Sequence, residues 1–319
     1  MVPRAQPNDT ELEARMRNSA FMITGGAGRV ITAIPALEKY ARLNPNDDFK
    51  VIVHGWENLY WNHPLLQPRT YGIGQKGIFD LVIRDRNLKC PEPYHRWTYY
   101  NQKKSLAEAF DEEINQTDDH TDLGKPKLYL HSNEIATATK LVDEAKKAKG
   151  KNKFVVFQPY GSGIQVVNNR PTDTTSRSLD VDDALELGRM LSEKAAVLYF
   201  GPNEYIHPKD NFMLNGKGMN ADLRFYMAMI ACCDYFVGVD SVGQHMARSF
   251  NRSGTIIMGS TFEVNVSYPD HFKFYRNNSV QVAYNPIRIG GPDSEFADRL
   301  NDGAMKFTRD QLKEIASAV

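Results

Sequence analysis

The sequence predicts an α/β protein built on two parallel, doubly wound sheets. Short runs rich in Val, Ile and Phe alternate with amphipathic stretches of helical period, the pattern of β-α-β units. The alternation stops at the charged, glycine-broken "KAKGKNK" (147–153) and then restarts, which sets a domain boundary at residue 150. Several apolar runs end in glycine or in one polar residue just before a helix, where open parallel sheets bind ligands. The 319 residues suffice for two Rossmann-like domains, 1–150 and 151–319, expected to face each other across a cleft.

In the first block, "SAFMIT" (19–24) reads as a strand and "GGAG" (25–28) as a turn. "RVITAIPALEKYARL" (29–43) reads as one helix in spite of Pro35. "FKVIVHG" (49–55) and "FDLVIRD" (79–85) read as the second and third strands. "RWTYYNQKKSLAEAFDEEI" (96–114) reads as a helix with an aromatic start. "KLYLHS" (127–132) follows as a strand, and "NEIATATKLVDEAKKAKG" (133–150) as a helix stopped by Gly150. The second block runs through strand "FVVFQPYGSG", a long polar loop and helix "VDDALELGRMLSE". Strand "AAVLYFGPNE", helix "ADLRFYMAMIAC", strand "DYFVGVD", helix "SVGQHMARSF" and strand "GTIIMGST" complete it. The tail, 298–319, reads as helical and able to return to the first domain.

Composition narrows the class. Lys plus Arg and Asp plus Glu both number 39, so no global charge draws the chain to nucleic acid or an acidic membrane. No run reaches the roughly 18 apolar residues of a membrane span, and the polar start lacks the apolar core of a signal peptide. Cys90, Cys232 and Cys233 fit neither a disulfide framework nor a zinc spacing, which implies reduced thiols in a cytoplasm. The acidic "TDDHTD" (117–122) reads as a solvated turn rather than a metal site.

Four loops carry candidate chemistry. In "ITGGAGRV" (23–30), Gly26 and Gly28 let the backbone approach a ligand at a helix N-terminus. Arg29 is out of place at such a start and makes sense beside a phosphate or carboxylate. In "FQPYGSG" with "TSRSLD" (175–180), Gly161 and Ser162 form an anion loop, and Arg177 precedes a helix where it could clamp a phosphate. In "YFGPNE" (199–204), Gly201 stops the strand and Glu204 could receive ribose hydroxyls. In "DYFVGVDSVGQHMARSF" (234–250), Asp240 closes a strand, Ser241 can cap the helix, and His245 lies in its second turn. Gly259, Ser260 and Thr261, ending the next strand, would offer N–H groups and hydroxyls to a diphosphate.

Taken together, "GGAGRVITAIPAL", "FQPYGSG", "SRSL", "FGPNE", "DSVGQHMA" and "MGST" resemble, in order and spacing, the motifs of the family-9 glycosyltransferases, the heptosyltransferase-like enzymes of lipopolysaccharide synthesis. The pair "DSVGQHMA" and "MGST" is the most specific part, and the likeness runs from about residue 20 to 265. The resemblance implies a GT-B fold and an inverting, metal-independent transfer with no cofactor. A nucleotide-diphosphate sugar would bind the C-terminal domain and an acceptor the N-terminal one. By position, Arg177 matches the family's donor-phosphate cation, Glu204 a nucleotide contact, and Asp240 and His245 the donor-site aspartate and histidine. Gly259 and Thr261 match the diphosphate loop.

One departure matters. The family has "GD" where this chain has Gly28–Arg29, and that aspartate is its presumed general base. A guanidinium cannot accept a proton at neutral pH. Strand-end logic offers His54, Glu57, Asp85 and His131 instead, with Asp85 and Glu57 favoured, and places Trp56 with His54 on the acceptor side. Arg29 would suit an anionic acceptor. "WENLYWNH" (56–63) and "YHRWTYYNQKK" (94–104) interleave aromatics with cations, as in sites that grip sugars or extruded bases. The acceptor is therefore either a glycan of lipopolysaccharide type or a 5-hydroxymethylated pyrimidine in DNA, the latter because the sequence style is similar to glycosyltransferases of large tailed phages. The missing acid also admits a non-catalytic nucleotide-sugar-binding protein.

Overall fold

A computed structural model describes residues 18–167, 170–201, 212–216, 222–284 and 303–319. The chain divides into two compact units, Met1–Pro93 with Ala107–Tyr129, and Tyr94–Leu106 with Leu130–Val319.

The first unit holds strands β1 (Ser19–Ile23), β2 (Lys50–Val53), β3 (Thr70–Gly72) and β4 (Asn87–Lys89). They form a sheet in the order β3-β2-β1-β4, parallel throughout. The register Ile23↔Val53 brings the carboxyl end of β2 beside that of β1, and Phe21↔Lys89 ends β4 two residues short of it, so that Cys90 and Pro91 lead toward that edge. Phe21, Tyr40 and Phe49 pack edge to face beneath it, with centroids 4.7 to 6.0 Å apart. The Tyr40 hydroxyl donates to Asp47 at 2.6 Å, and burial, aided by that carboxylate, pushes its pKa up to about 12.

Several expected elements take a different form here. The helix over 29–43 is two helices, α1 (Ala27–Thr32) and α2 (Ile34–Leu43). Pro35 lacks an N–H and is tolerated only in a first turn, so it opens a second helix rather than kinking one. "FDLVIRD" is no strand: Phe79–Ile83 winds as a π-helix after Gly77, which has φ +80°. Of this run Val82 is buried, while Phe79 and Leu81 stay exposed. A short apolar run does not distinguish strand from helix by period alone. Residues 96–114 are also two helices, α3 (Trp97–Tyr100) and α4 (Leu106–Asn115), parted by a turn in which Gln102 has φ +59°. "KLYLHS" has no strand among the described residues, because no neighbouring strand pairs with it.

The second unit carries β5 (Phe154–Gln158), β8 (Ala196–Tyr199), β9 (Leu214–Asn215), β10 (Tyr235–Val239), β11 (Gly254–Met258) and β12 (Lys273–Arg276). Their order is β12-β11-β10-β5-β8-β9, all parallel. The polar loop after β5 contains an antiparallel hairpin of β6 (Ile164–Val167) and β7 (Arg170–Asp173). β5, β10 and β11 are buried almost throughout, as expected of strands covered on both faces.

The remaining helices are α5 (Ser132–Lys149), α6 (Val181–Ser192), α7 (Leu223–Cys232), α8 (Val242–Ser249), α9 (Glu263–Val266) and α10 (Arg309–Ser317). The boundary expected at residue 150 falls inside this unit. α5 packs on α7 and β5, and Arg224 of α7 donates to Glu134 of α5 at 2.8 Å. Leu312, Ile315 and Ala316 of α10 join the core cluster that contains Leu187, Leu191 and Val155 of the second unit. The 94–106 segment is stitched in by Asn265, whose amide donates to the carbonyls of Tyr99 at 2.8 Å and Lys104 at 2.9 Å.

Candidate functional site

In the second unit the chain order reverses between β5 and β10, the innermost neighbouring strands. Ligands of open parallel sheets bind outside the carboxyl ends at such a switch point. Here β5 ends on Gln158, and β10 is followed by Asp240 and Ser241. The Gln158 amide donates to the Ser241 hydroxyl at 3.0 Å, and its carbonyl accepts from Tyr226 at 2.5 Å and from the Gly243 N–H at 3.2 Å. Ser241 therefore stands at the N-cap of α8, but its hydroxyl serves Gln158 rather than the helix. A Cβ on Gly243 would sit 2.3 Å from both Gln158 Oε1 and the Tyr226 hydroxyl, so only glycine lets α8 start this close to β5.

Asp240 is 5% exposed and accepts from the Gln244 amide at 2.7 Å. The same amide donates to the Val266 carbonyl, and the Ser267 hydroxyl bonds the Gln244 carbonyl. His245 is also buried, with Nδ1 2.9 Å from the Tyr268 hydroxyl. Burial pushes its pKa down to about 3, so the imidazole is neutral and offers hydrogen bonds, not charge.

The loop after β11 approaches the turn after β7. A Cβ on Gly259 would lie 1.8 Å from the Ser176 carbonyl oxygen. Ser260 does not offer its groups to a diphosphate as expected: its N–H donates to Ser176 O at 3.2 Å and its hydroxyl to Thr175 O at 2.6 Å. The Thr261 hydroxyl, by contrast, is buried with no hydrogen-bond partner among the described residues. Arg276 of β12 braces this turn, donating to Gly259 O at 2.6 Å, Thr261 O at 2.7 Å and Glu263 at 3.0 Å. Opposite it, Asp173 accepts from the Thr175 hydroxyl and the Ser178 hydroxyl, each at 2.5 Å, and Ser178 accepts from the Gly161 N–H at 2.9 Å. Arg177 leaves this knot with Nε bonded to the Thr175 hydroxyl at 3.0 Å. Gly161, Arg177 and Gly259–Thr261 thus meet around one turn, with Ser162 exposed beside it. Gly201 packs against Tyr199 and Tyr160, and Glu204 lies outside the described residues.

In the first unit the order reverses between β1 and β4. After β1 come Gly25, with φ +93°, and Gly26 at the N-cap of α1, with Gly28 in the helix. Trp56, just beyond β2, donates its indole N–H to Gly25 O at 3.2 Å. His54 is exposed at the end of β2, and Glu57 accepts from the Gly55 N–H at 3.3 Å while lying against Gly72.

Three candidates change meaning. Asp85 precedes β4, so it lies at the amino edge of the parallel sheet, roughly 13 Å of strand away from the glycine turn. Its assignment rested on a strand that is a π-helix. His131 follows no strand but is the N-cap of α5, where Glu134 accepts from its N–H at 2.6 Å. Arg29 is 6% exposed and bound to Glu92 through Nη1 and Nη2 at 3.1 to 3.2 Å, with a further bond to Pro91 O at 2.7 Å. A partner carboxylate, not an acceptor phosphate, explains this cation at a helix start.

"TDDHTD" is not a solvated turn throughout. His120 lies with Nδ1 2.7 Å from Asp111, which is fully buried and also holds Lys39 at 2.9 Å. Among the described residues no group of three or more His, Cys, Asp or Glu could hold a metal ion, and no helix is long and apolar enough to cross a membrane. The three cysteines are free.

Two buried histidines set an acid limit. His63 has Nδ1 accepting from the N–H groups of Leu65 and Leu66, and burial together with the charge of Lys127 pushes its pKa down to about 4. His63 and His245 stay neutral in the folded protein while the unfolded chain protonates both near pH 6.5. Their contribution is therefore complete above pH 6.5 and lost as pH falls toward 4. Between pH 6.5 and 5 the urea-unfolding free energy should drop by about 2 to 3 kcal/mol per pH unit. A flat profile over that window would contradict two buried neutral imidazoles.

No protein-family model matches the chain, and no curated protein sequence does. Solved structures do. A family-9 glycosyltransferase from Veillonella parvula DSM 2008 superposes with a TM-score of 0.67 at 11% identity, covering 94% of this chain and 96% of that one. The ADP-heptose lipopolysaccharide heptosyltransferase II of E. coli gives 0.61 at 14% identity, covering 94% and 98%. The iron-containing dodecameric glycosyltransferase TibC from enterotoxigenic E. coli H10407 gives 0.60 at 10% identity, covering 94% of this chain and 75% of that one. At such identities the likeness is one of fold, and the fold is GT-B, with each unit on its own parallel sheet.

Proposed function

We propose that the protein is a glycosyltransferase that moves a sugar from a nucleotide-diphosphate sugar to an acceptor hydroxyl, with inversion and without a metal. The observation that carries this reading is the switch point of the second unit, where Gln158, Asp240 and Ser241 meet between β5 and β10. Donor binding belongs there. The unpartnered Thr261 hydroxyl and the Arg177 guanidinium supply a donor and a cation for the diphosphate, from the turn that Arg276 and Asp173 hold rigid. Neutral His245 and buried Asp240 orient the sugar rather than bind its phosphates.

A glycan acceptor is favoured over DNA. The feature that pointed to an anionic acceptor was Arg29, and Glu92 neutralises it. The zero net charge adds no attraction for a polyanion.

The test is a donor panel of ADP-heptose, UDP-glucose and GDP-mannose, offered with deacylated lipopolysaccharide core or with hydroxymethylated duplex DNA. Transfer is read by mass, and nucleotide binding by calorimetry. One donor should be consumed with the glycan, and Arg177→Ala should weaken nucleoside-diphosphate binding about 10- to 100-fold, the range of one or two lost charge-assisted bonds. Tight nucleotide binding with no transfer from any donor would instead favour a binding protein. Asp240→Ala turning over like the wild type would sink the site.

A further inference from the structure

We propose that Glu92 is the residue that takes the proton of the acceptor hydroxyl, and that Arg29 is its positioning residue. The proposal rests on the sugar-transfer reading above. Its ground is the topology of the first unit. The switch point of that sheet lies between the carboxyl ends of β1 and β4, and the chain leaves β4 through Cys90 and Pro91 directly to Glu92. Glu92 therefore stands where a parallel sheet presents a ligand to its side chains. The other acids fare worse. Glu57 belongs to the β2–β3 side, with its carboxylate folded onto Gly55 and Gly72. Asp85 is at the opposite edge of the sheet.

Arg29 supplies the second observation. Its stem lies against Gly25, where a Cβ would be 3.0 Å from Cδ, and its guanidinium stacks 5.6 Å from the Phe110 ring centroid. From this fixed seat it contacts both Glu92 oxygens: Nη1 bonds Oε1 at 3.2 Å and Oε2 at 3.1 Å, and Nη2 bonds Oε2 at 3.1 Å. Two carboxylate oxygens offer about four lone-pair sites, so Oε1 keeps one for a hydroxyl. The Arg29 side chain is 5% exposed and that of Glu92 is 36% exposed, so the cation is sealed in while the glutamate keeps access to solvent. Burying an arginine for an ion pair alone is a poor source of stability. Burying it to fix one half-buried glutamate at a switch point has a use.

The step balances. The acceptor oxygen attacks the anomeric carbon and forms the new glycosidic bond. The bond from that carbon to the diphosphate oxygen breaks, and its electron pair leaves with the nucleoside diphosphate. The hydroxyl proton passes to Glu92 and then to solvent.

The experiment uses the full chain with the donor and acceptor of highest turnover in the panel above. Glu92→Gln keeps the size and an oxygen for Arg29 but cannot take the proton. Its kcat should fall roughly 10²- to 10⁴-fold, the usual worth of a general base, with nucleotide Kd unchanged. The acidic limb of the wild-type pH–kcat/KM profile should vanish, which loss of a structural clamp alone would not cause. Glu92→Asp should keep that limb with a kcat at least about 10-fold lower. Glu92→Gln within threefold of wild type, or the limb lost in Glu57→Gln or His54→Gln instead, overturns the assignment and leaves sugar transfer standing. If Glu92→Gln does not fold, full kcat in Glu92→Asp overturns it. A wild type that transfers no sugar sinks both.

Discussion

Lys39→Met lowers the unfolding free energy by about 3 to 5 kcal/mol, the largest loss we expect from a position outside the candidate site. Lys39 is 4% exposed and donates to Asp111 at 2.9 Å and to the Asp119 carbonyl at 2.5 Å, with Asp122 at 3.0 Å. Burial works against its charge, yet the bonds to Asp111 and Asp122 prevail and hold its pKa above the usual lysine value. Methionine leaves Asp111 fully buried, with Asn115 at 2.6 Å and His120 at 2.7 Å as its remaining side-chain partners among the described residues. An uncompensated buried carboxylate costs far more than the ion pair itself contributes. The double variant Lys39→Met/Asp111→Leu should therefore recover most of the loss, and urea unfolding of the four proteins of that cycle measures the coupling. Additive losses would show that the pair does not act as a unit.

Gly259→Ala should destabilise by about 3 kcal/mol or more and weaken nucleoside-diphosphate binding at least about 10-fold. The new methyl would meet the Ser176 carbonyl at 1.8 Å and Met305 at 2.8 Å. Met305 can swing away, but Ser176 cannot. It holds a left-handed φ of +49°, its N–H donates to Asp173 O at 3.0 Å, and its carbonyl accepts from Ser260. Relief of the clash has to move residues 175–178, which carries Arg177 with it. Gly161→Ala provides the comparison, since its methyl meets nothing closer than 3.6 Å and should leave the melting temperature almost unchanged. Equal melting temperatures for the two variants would contradict this packing.

Much of the second unit was legible in the sequence. β5, β8, β10 and β11 each announce themselves as buried apolar runs, because a strand covered on both faces has no polar phase to confuse the reading. Asp240, Ser241 and Gly259 end such runs, so their place at a carboxyl edge followed from local pattern alone. The first unit was harder. Its strands β3 and β4 have three residues each, too few for a period to show, while the longer apolar run "FDLVIRD" became a π-helix that buries Val82 and leaves Phe79 and Leu81 exposed. Gln158, visible only as the polar end of "FVVFQ", and Arg276, with no local signal, were missed for the same reason: their roles are set by neighbours far along the chain.

By itself the sequence determined the alternation of elements, the glycine turns and the residues that stand just past the main strands, since these depend on period and on backbone freedom over a few residues. Strand order, and with it both switch points, came only from the tertiary structure. Parallel strands are joined by long crossovers, so neighbours in the sheet lie far apart in sequence. That is why Arg29, unexplained as one letter after a glycine turn, found its partner 63 residues away in Glu92.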